Sequence, residues 1–109
     1  MGFRITRGKG FHITFENGIT VSVQFGGGNY CEHYNDMIGM EREMQDHWQM
    51  INNPVQESRD AEVAIWGKDG RWLTPLYTGN GDDVIGWQSP KQVLDILTWA
   101  SKLEVTNVK

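Results

Sequence analysis

Two runs of strict alternation, Phe11-His12-Ile13-Thr14-Phe15 and Ile19-Thr20-Val21-Ser22-Val23-Gln24-Phe25, are separated by Glu16-Asn17-Gly18. A period of two places all the apolar side chains of such a run on one face of a β-strand, so each run reads as a half-buried strand. Face matching then fixes the loop. A two-residue Asn-Gly turn would set Phe15 opposite Thr20 and mix the faces. A three-residue loop sets Phe15 opposite Ile19, Ile13 opposite Val21 and Phe11 opposite Val23, and gives Gly18 the left-handed position such loops need. The three-residue hairpin is therefore predicted. Phe3-Arg4-Ile5-Thr6-Arg7 reads as a further, weaker strand.

Past Gly26-Gly27-Gly28 the period changes. Met37, Met40, Met44, Trp48 and Ile51 form one stripe at helical spacing, with Asp36 as a cap and Gly39 as the weak point. Asn53-Pro54 ends this helix, and residues 53–60 read as a linker. Residues 61–66 and 71–77 suggest a second hairpin around Gly67-Lys68-Asp69-Gly70, where loops of two and of four residues both preserve face matching. The four-residue loop would set Trp66 opposite Arg71 as a cation–π pair. A turn at 79–83 and a short strand at 84–87 follow.

The last element carries the fullest local signature. Ser89-Pro90-Lys91-Gln92 offers an N-cap, a proline at the first helical position and a capping-box Gln. Val93, Leu94, Ile96, Leu97, Ala100 and Leu103 mark its buried face. The expected fold is α+β, a single domain over residues 1–109. Its antiparallel sheet is built from two hairpins, a C-terminal helix packs on one face, and a Met-rich helical insertion with its linker occupies 36–60. Val93, Leu94, Leu97 and Ala100 should cover the face formed by Phe11, Ile13, Phe15, Ile19, Val21, Val23 and Phe25.

Composition narrows the function classes. In 109 residues, ten Lys and Arg stand against fourteen Asp and Glu, for a net charge of −4. Residues 1–30 carry three bases and one acid, residues 31–62 carry eight acids and two bases, and the remainder balances at five each. The acidic middle argues against general nucleic-acid binding and suits a basic partner surface. No apolar run is long enough for a membrane span, and the start lacks a signal-peptide pattern. A single cysteine, Cys31, fits a reducing, cytoplasmic setting.

Motifs for chemistry are sparse. Cys31 and His33 would point the same way on a strand, yet no nucleophile context surrounds them. His12, Cys31, His33 and His47 lack zinc-site spacing, and Asn80-Gly81-Asp82-Asp83 lacks the calcium-loop pattern. No metal or other cofactor is expected. The glycine run at 26–28 matches no phosphate-binding fingerprint. Aromatic residues stand out instead. Five tryptophans in a chain this short exceed what a core readily buries, so some should line a surface. The candidate binding residues are Met40, Met44, Trp48, Trp66, Arg71, Trp72, Trp87, Gly27, Asn29 and Tyr30, with no catalytic residue assigned. The Met stripe also suits docking on a partner or on a second copy, as a homodimer.

The segments Ile19-Thr20-Val21-Ser22-Val23-Gln24-Phe25-Gly26, Asn29-Tyr30-Cys31, Ala61-Glu62-Val63-Ala64-Ile65-Trp66 and Asp83-Val84-Ile85-Gly86-Trp87-Gln88-Ser89-Pro90 together resemble a group of small bacteriophage proteins. These share a "TVSVQFG" strand, an "AEVA-W" strand and a "D-V-G-W/Y-Q-S/T-P" entry to a final helix. The resemblance covers about two-thirds of the chain and leaves 36–60 outside. It implies expression in the host bacterial cytoplasm and no particular activity. The expected function is a non-enzymatic phage accessory protein that inhibits or sequesters a host defence factor or its nucleotide signal. The alternatives are a small nucleotide-directed hydrolase using His33, Cys31 and nearby acids, and a virion or assembly component.

Overall fold

The computed structural model describes residues 1–6, 9–35 and 57–104. They form strands β1 (Gly2–Ile5), β2 (Gly10–Thr14), β3 (Thr20–Gln24), β4 (Ala61–Trp66) and β5 (Ile85–Gln88), with helices α1 (Thr74–Thr78) and α2 (Pro90–Lys102). The strands make one antiparallel sheet in the order β1-β2-β3-β4-β5, so order in the chain and order in space coincide. The predicted helix over 36–52, with Met40, Met44 and Trp48, lies outside the described residues, as do residues 53–56.

The first hairpin has the register that alternation requires. Phe11 faces Val23 and Ile13 faces Val21, and the Phe15 N–H donates to the Ile19 carbonyl at 2.9 Å. Gly18 sits at φ +84° and donates to the Phe15 carbonyl, closing the three-residue loop. Ile19, Val21 and Val23 are buried, with Phe11, Ile13, Phe15 and Phe25 packed partly buried around them. On the other face, polar side chains satisfy one another. The Thr14 and Thr20 hydroxyls lie 2.8 Å apart, and Gln24 donates to Ser22 Oγ at 3.2 Å while accepting from Thr6 Oγ1 at 2.9 Å. β3 is buried on both sides because it is the central strand.

The second hairpin departs from expectation. Residues 74–78 are helix, and past the loop only an isolated bridge joins Trp66 to Trp72. The loop itself repeats the first. The Gly67 N–H donates to the Arg71 carbonyl, the Gly70 N–H to the Gly67 carbonyl, and Gly70 sits at φ +85°. Lys68-Asp69-Gly70 is thus a three-residue loop like Glu16-Asn17-Gly18, one register step from both loops that face matching alone allowed. Trp66 consequently meets Trp72 edge to face, at 5.6 Å and 78°, rather than Arg71. Beyond it, the Leu73 N–H donates to the Ile65 carbonyl, and Thr74 Oγ1 accepts the Ile65 N–H at 2.9 Å. A buried hydroxyl there replaces a ladder partner, and Pro75, which has no N–H, sits in the first turn of α1.

α2 begins as predicted. Ser89 Oγ accepts the Gln92 N–H, Gln92 Oε1 accepts the Ser89 N–H at 2.8 Å, and Pro90 opens the helix. The helix lies on the apolar sheet face with Ile96 and Ala100 fully buried, flanked by Val93, Leu97, Trp99 and Leu103. Leu94, expected in this contact, is 56 % exposed, because the buried arc centres on Ile96. Each fully buried Ile or Val, such as Ile65, Ile96, Val21 and Val63, contributes about 1.5–3 kcal/mol over its exposed state.

Candidate binding surface

The surface starts from an irregularity in β5. Ala61 pairs with Gln88 and Val63 with Ile85, so two residues, Gly86 and Trp87, oppose Glu62 alone. Such a bulge bends the strand and re-aims a side chain. Here it places Trp87 at φ +51°, a left-handed conformation costing about 1–2 kcal/mol in a bulky residue. The Trp87 N–H donates to the Tyr30 carbonyl at 2.8 Å, and the indole stacks on the Tyr30 ring at 5.6 Å and 26°. Tyr30 in turn stacks on Tyr34 at 5.5 Å and 20°. The three rings form an open stack in which Trp87 is 57 % exposed.

Glu62 holds the loop that carries Tyr30. Its carboxylate accepts the Tyr30 N–H at 2.9 Å and the Asn29 side-chain amide at 3.3 Å. Asn29 Oδ1 accepts the Gly26 N–H, and the Gly28 N–H donates to the Tyr34 carbonyl. Next along the loop, Asp60 accepts the Glu32 N–H at 2.7 Å, and Glu32 pairs with Arg59 at 3.2 Å. Three carboxylates and one guanidinium thus hold the loop that carries Tyr30. Gly86 is dictated by close approach, since a Cβ there would lie 2.8 Å from the Tyr30 Cβ.

Of the residues singled out from the sequence, the fold brings together Asn29, Tyr30 and Trp87, with Gly27 buried in the same loop. Trp66 and Trp72 form a separate cluster with His12, whose ring meets Trp66 edge on at 5.0 Å and 88°. Arg71 is exposed, its N–H bonded to Asp69 Oδ1 at 2.9 Å. Gly26 and Gly28 direct their amides into the loop rather than presenting them as an anion cradle. Tyr34, Glu62 and Gly86 were not anticipated. A single acid within the apolar Ala61–Trp66 run, and a tyrosine four residues after Tyr30, were the available signals.

Cys31 is buried, with its thiol donating to the Gly26 carbonyl at 3.7 Å, and it lies in a turn rather than on a strand. His33 Nε2 lies 2.8 Å from the Glu57 carbonyl oxygen and 3.6 Å from Glu32. Asn80 Oδ1 is engaged by the Asp82 N–H and the Thr78 hydroxyl, an internal turn. Among the described residues, no group of three or more His, Cys, Asp or Glu is placed to hold a metal, and no helix is long and apolar enough to cross a membrane. A cleft of about 290 Å³ opens on the helix side of the sheet. Phe11, Phe25, Val93 and Leu97 line it, Leu94 stands at its edge, and Gln88, the residue after Trp87, contributes to its wall. Comparison with protein-family models, with curated proteins and with solved structures gives no match.

Proposed function

We propose that the protein is a non-enzymatic binding module that sequesters a host protein by capturing a basic segment of it on the Trp87–Tyr30–Tyr34 stack. The observation that carries this reading is the left-handed Trp87, whose strained backbone keeps a large ring turned out toward solvent. A flat π-face accepts a guanidinium or ammonium group, worth about 0.5–2 kcal/mol as water is excluded. Glu32, Asp60 and Glu62 around the loop favour the same sign of ligand and oppose a phosphate. They make a nucleotide the less favoured occupant of these rings.

Titration calorimetry with an arginine- and lysine-rich peptide, and separately with mononucleotides, tests the reading. The peptide should bind, and Trp87→Ala should weaken it about tenfold, or about 1.4 kcal/mol. Trp87→Gly should weaken binding equally while relieving the backbone strain, so its melting temperature should stay above that of Trp87→Ala. Binding of nucleotide without peptide, or unchanged peptide affinity in both variants, would overturn it.

A further inference from the structure

We infer that β1 is a self-pairing edge through which two copies of this chain join their sheets into one. The inference stands apart from the ligand reading above, because it uses the opposite end of the sheet. β1 is a terminal strand, paired with β2 on one side. All four of its residues are exposed, and Phe3 and Ile5 are 73 % and 75 % exposed. Their side chains fall on the apolar, helix-bearing face, opposite Ile13 and Phe11, and Phe3 meets the Phe11 ring at 6.3 Å. Among the described residues no strand pairs with the outer side of β1, and an exposed apolar edge of this kind is a template for another strand.

The ladder shows which backbone groups are available. The Thr6 N–H donates to the Gly10 carbonyl, so in this register Gly2, Arg4 and Thr6 face β2. The N–H and C=O groups of Phe3 and Ile5 therefore point away from the sheet. A twofold axis normal to the sheet, midway between the two β1 strands, keeps apolar side chains on one face only if it is level with a residue rather than with a peptide bond. Centred on Arg4, it would set two guanidinium groups opposite each other. Centred on Phe3, it sets Phe3 against the second copy's Phe3 and Ile5 against its Met1, all apolar, and moves each Arg4 opposite a Gly2. The strand is self-complementary in that register, and the occupant it fits is a second copy of itself.

Sedimentation velocity across a concentration series, on the full chain, should show a reversible dimer. Ile5→Lys, which places a charge on the edge, should give monomer with an unchanged far-UV spectrum. Should that variant fail to fold, oxidative cross-linking decides the matter in a Cys31→Ser background. Residues paired by backbone bonds have Cα atoms about 5.5 Å apart, within disulfide range, so Phe3→Cys should give a covalent dimer. A monomer at every concentration, a dimer that survives Ile5→Lys, or a Phe3→Cys variant that resists cross-linking would each overturn the inference.

Discussion

His12 shows how one side chain's surroundings set its proton affinity. It lies on β2 between Arg4 and Ser22 on the neighbouring strands, with its ring edge against Trp66. Burial lowers its pKa below the ordinary 6.5, and the nearby Arg4 guanidinium lowers it further. The unfolded chain therefore takes up this proton at a higher pH than the folded chain does. The corresponding stability is fully present above the unfolded value and is lost as pH falls through the folded one. Melting followed from pH 7.5 down to 5 should accordingly fall more steeply for the wild type than for His12→Gln. Because burial is the larger cause, Arg4→Gln should raise the pKa seen by NMR titration only part of the way. Equal pH slopes in wild type and His12→Gln would refute this assignment. The alternation placed His12 on the polar face, but its contact with Trp66, reached across β3, could not be read from neighbours in the chain.

Contacts between elements carry more than their local signatures suggest. Asn17 belongs to a turn, yet its side-chain amide donates to the Ala100 and Leu103 carbonyls at 2.8 and 2.9 Å, while its Oδ1 accepts the Ile19 N–H. It thereby caps the C-terminus of α2 and fastens the helix to the hairpin. Asn17→Ala should cost about 1–3 kcal/mol, read as a lower denaturation midpoint. Asn and Asp serve about equally in many turns, but here Asn17→Asp should destabilise at least as much as Asn17→Ala. A carboxylate would face two carbonyls at the negative end of a helix dipole. Wild-type stability in Asn17→Asp would show that the cap contributes nothing. At the bulge, Gly86→Ala should push Tyr30 off the sheet, destabilise by about 1–3 kcal/mol and weaken peptide binding along with it. Unchanged binding in a folded Gly86→Ala variant would separate the stack from the bulge that supports it.

For the whole molecule, the net charge of −4 and its concentration in residues 31–62 would govern encounter with the basic partner proposed. Affinity for the peptide should fall as salt rises through the range where the Debye length shrinks from about 10 to about 3 Å, and salt-independent binding would point to apolar contact alone. The elements that sequence reading captured are those fixed by neighbours a few residues apart. The period of residues 11–25 and the turn chemistry of Glu16-Asn17-Gly18 determined the first register, and Ser89 to Gln92 determined the start of α2. The second loop was legible by the same logic, since Lys68-Asp69-Gly70 repeats the acid-or-amide-then-glycine pattern, but face matching alone did not select it. The tertiary structure decided the rest. The bulge turns Trp87 outward because Glu62, 32 residues from Tyr30, fixes the loop beneath it, and Asn17 finds its carbonyls 83 and 86 residues away. Leu94 is exposed because it lies about 200° around α2 from the buried Ile96, and the sheet covers only one side of the helix. Local pattern determines which strands and helices form, since each needs only its own period and caps. Which side chains meet depends on partners far along the chain, and no local period encodes that.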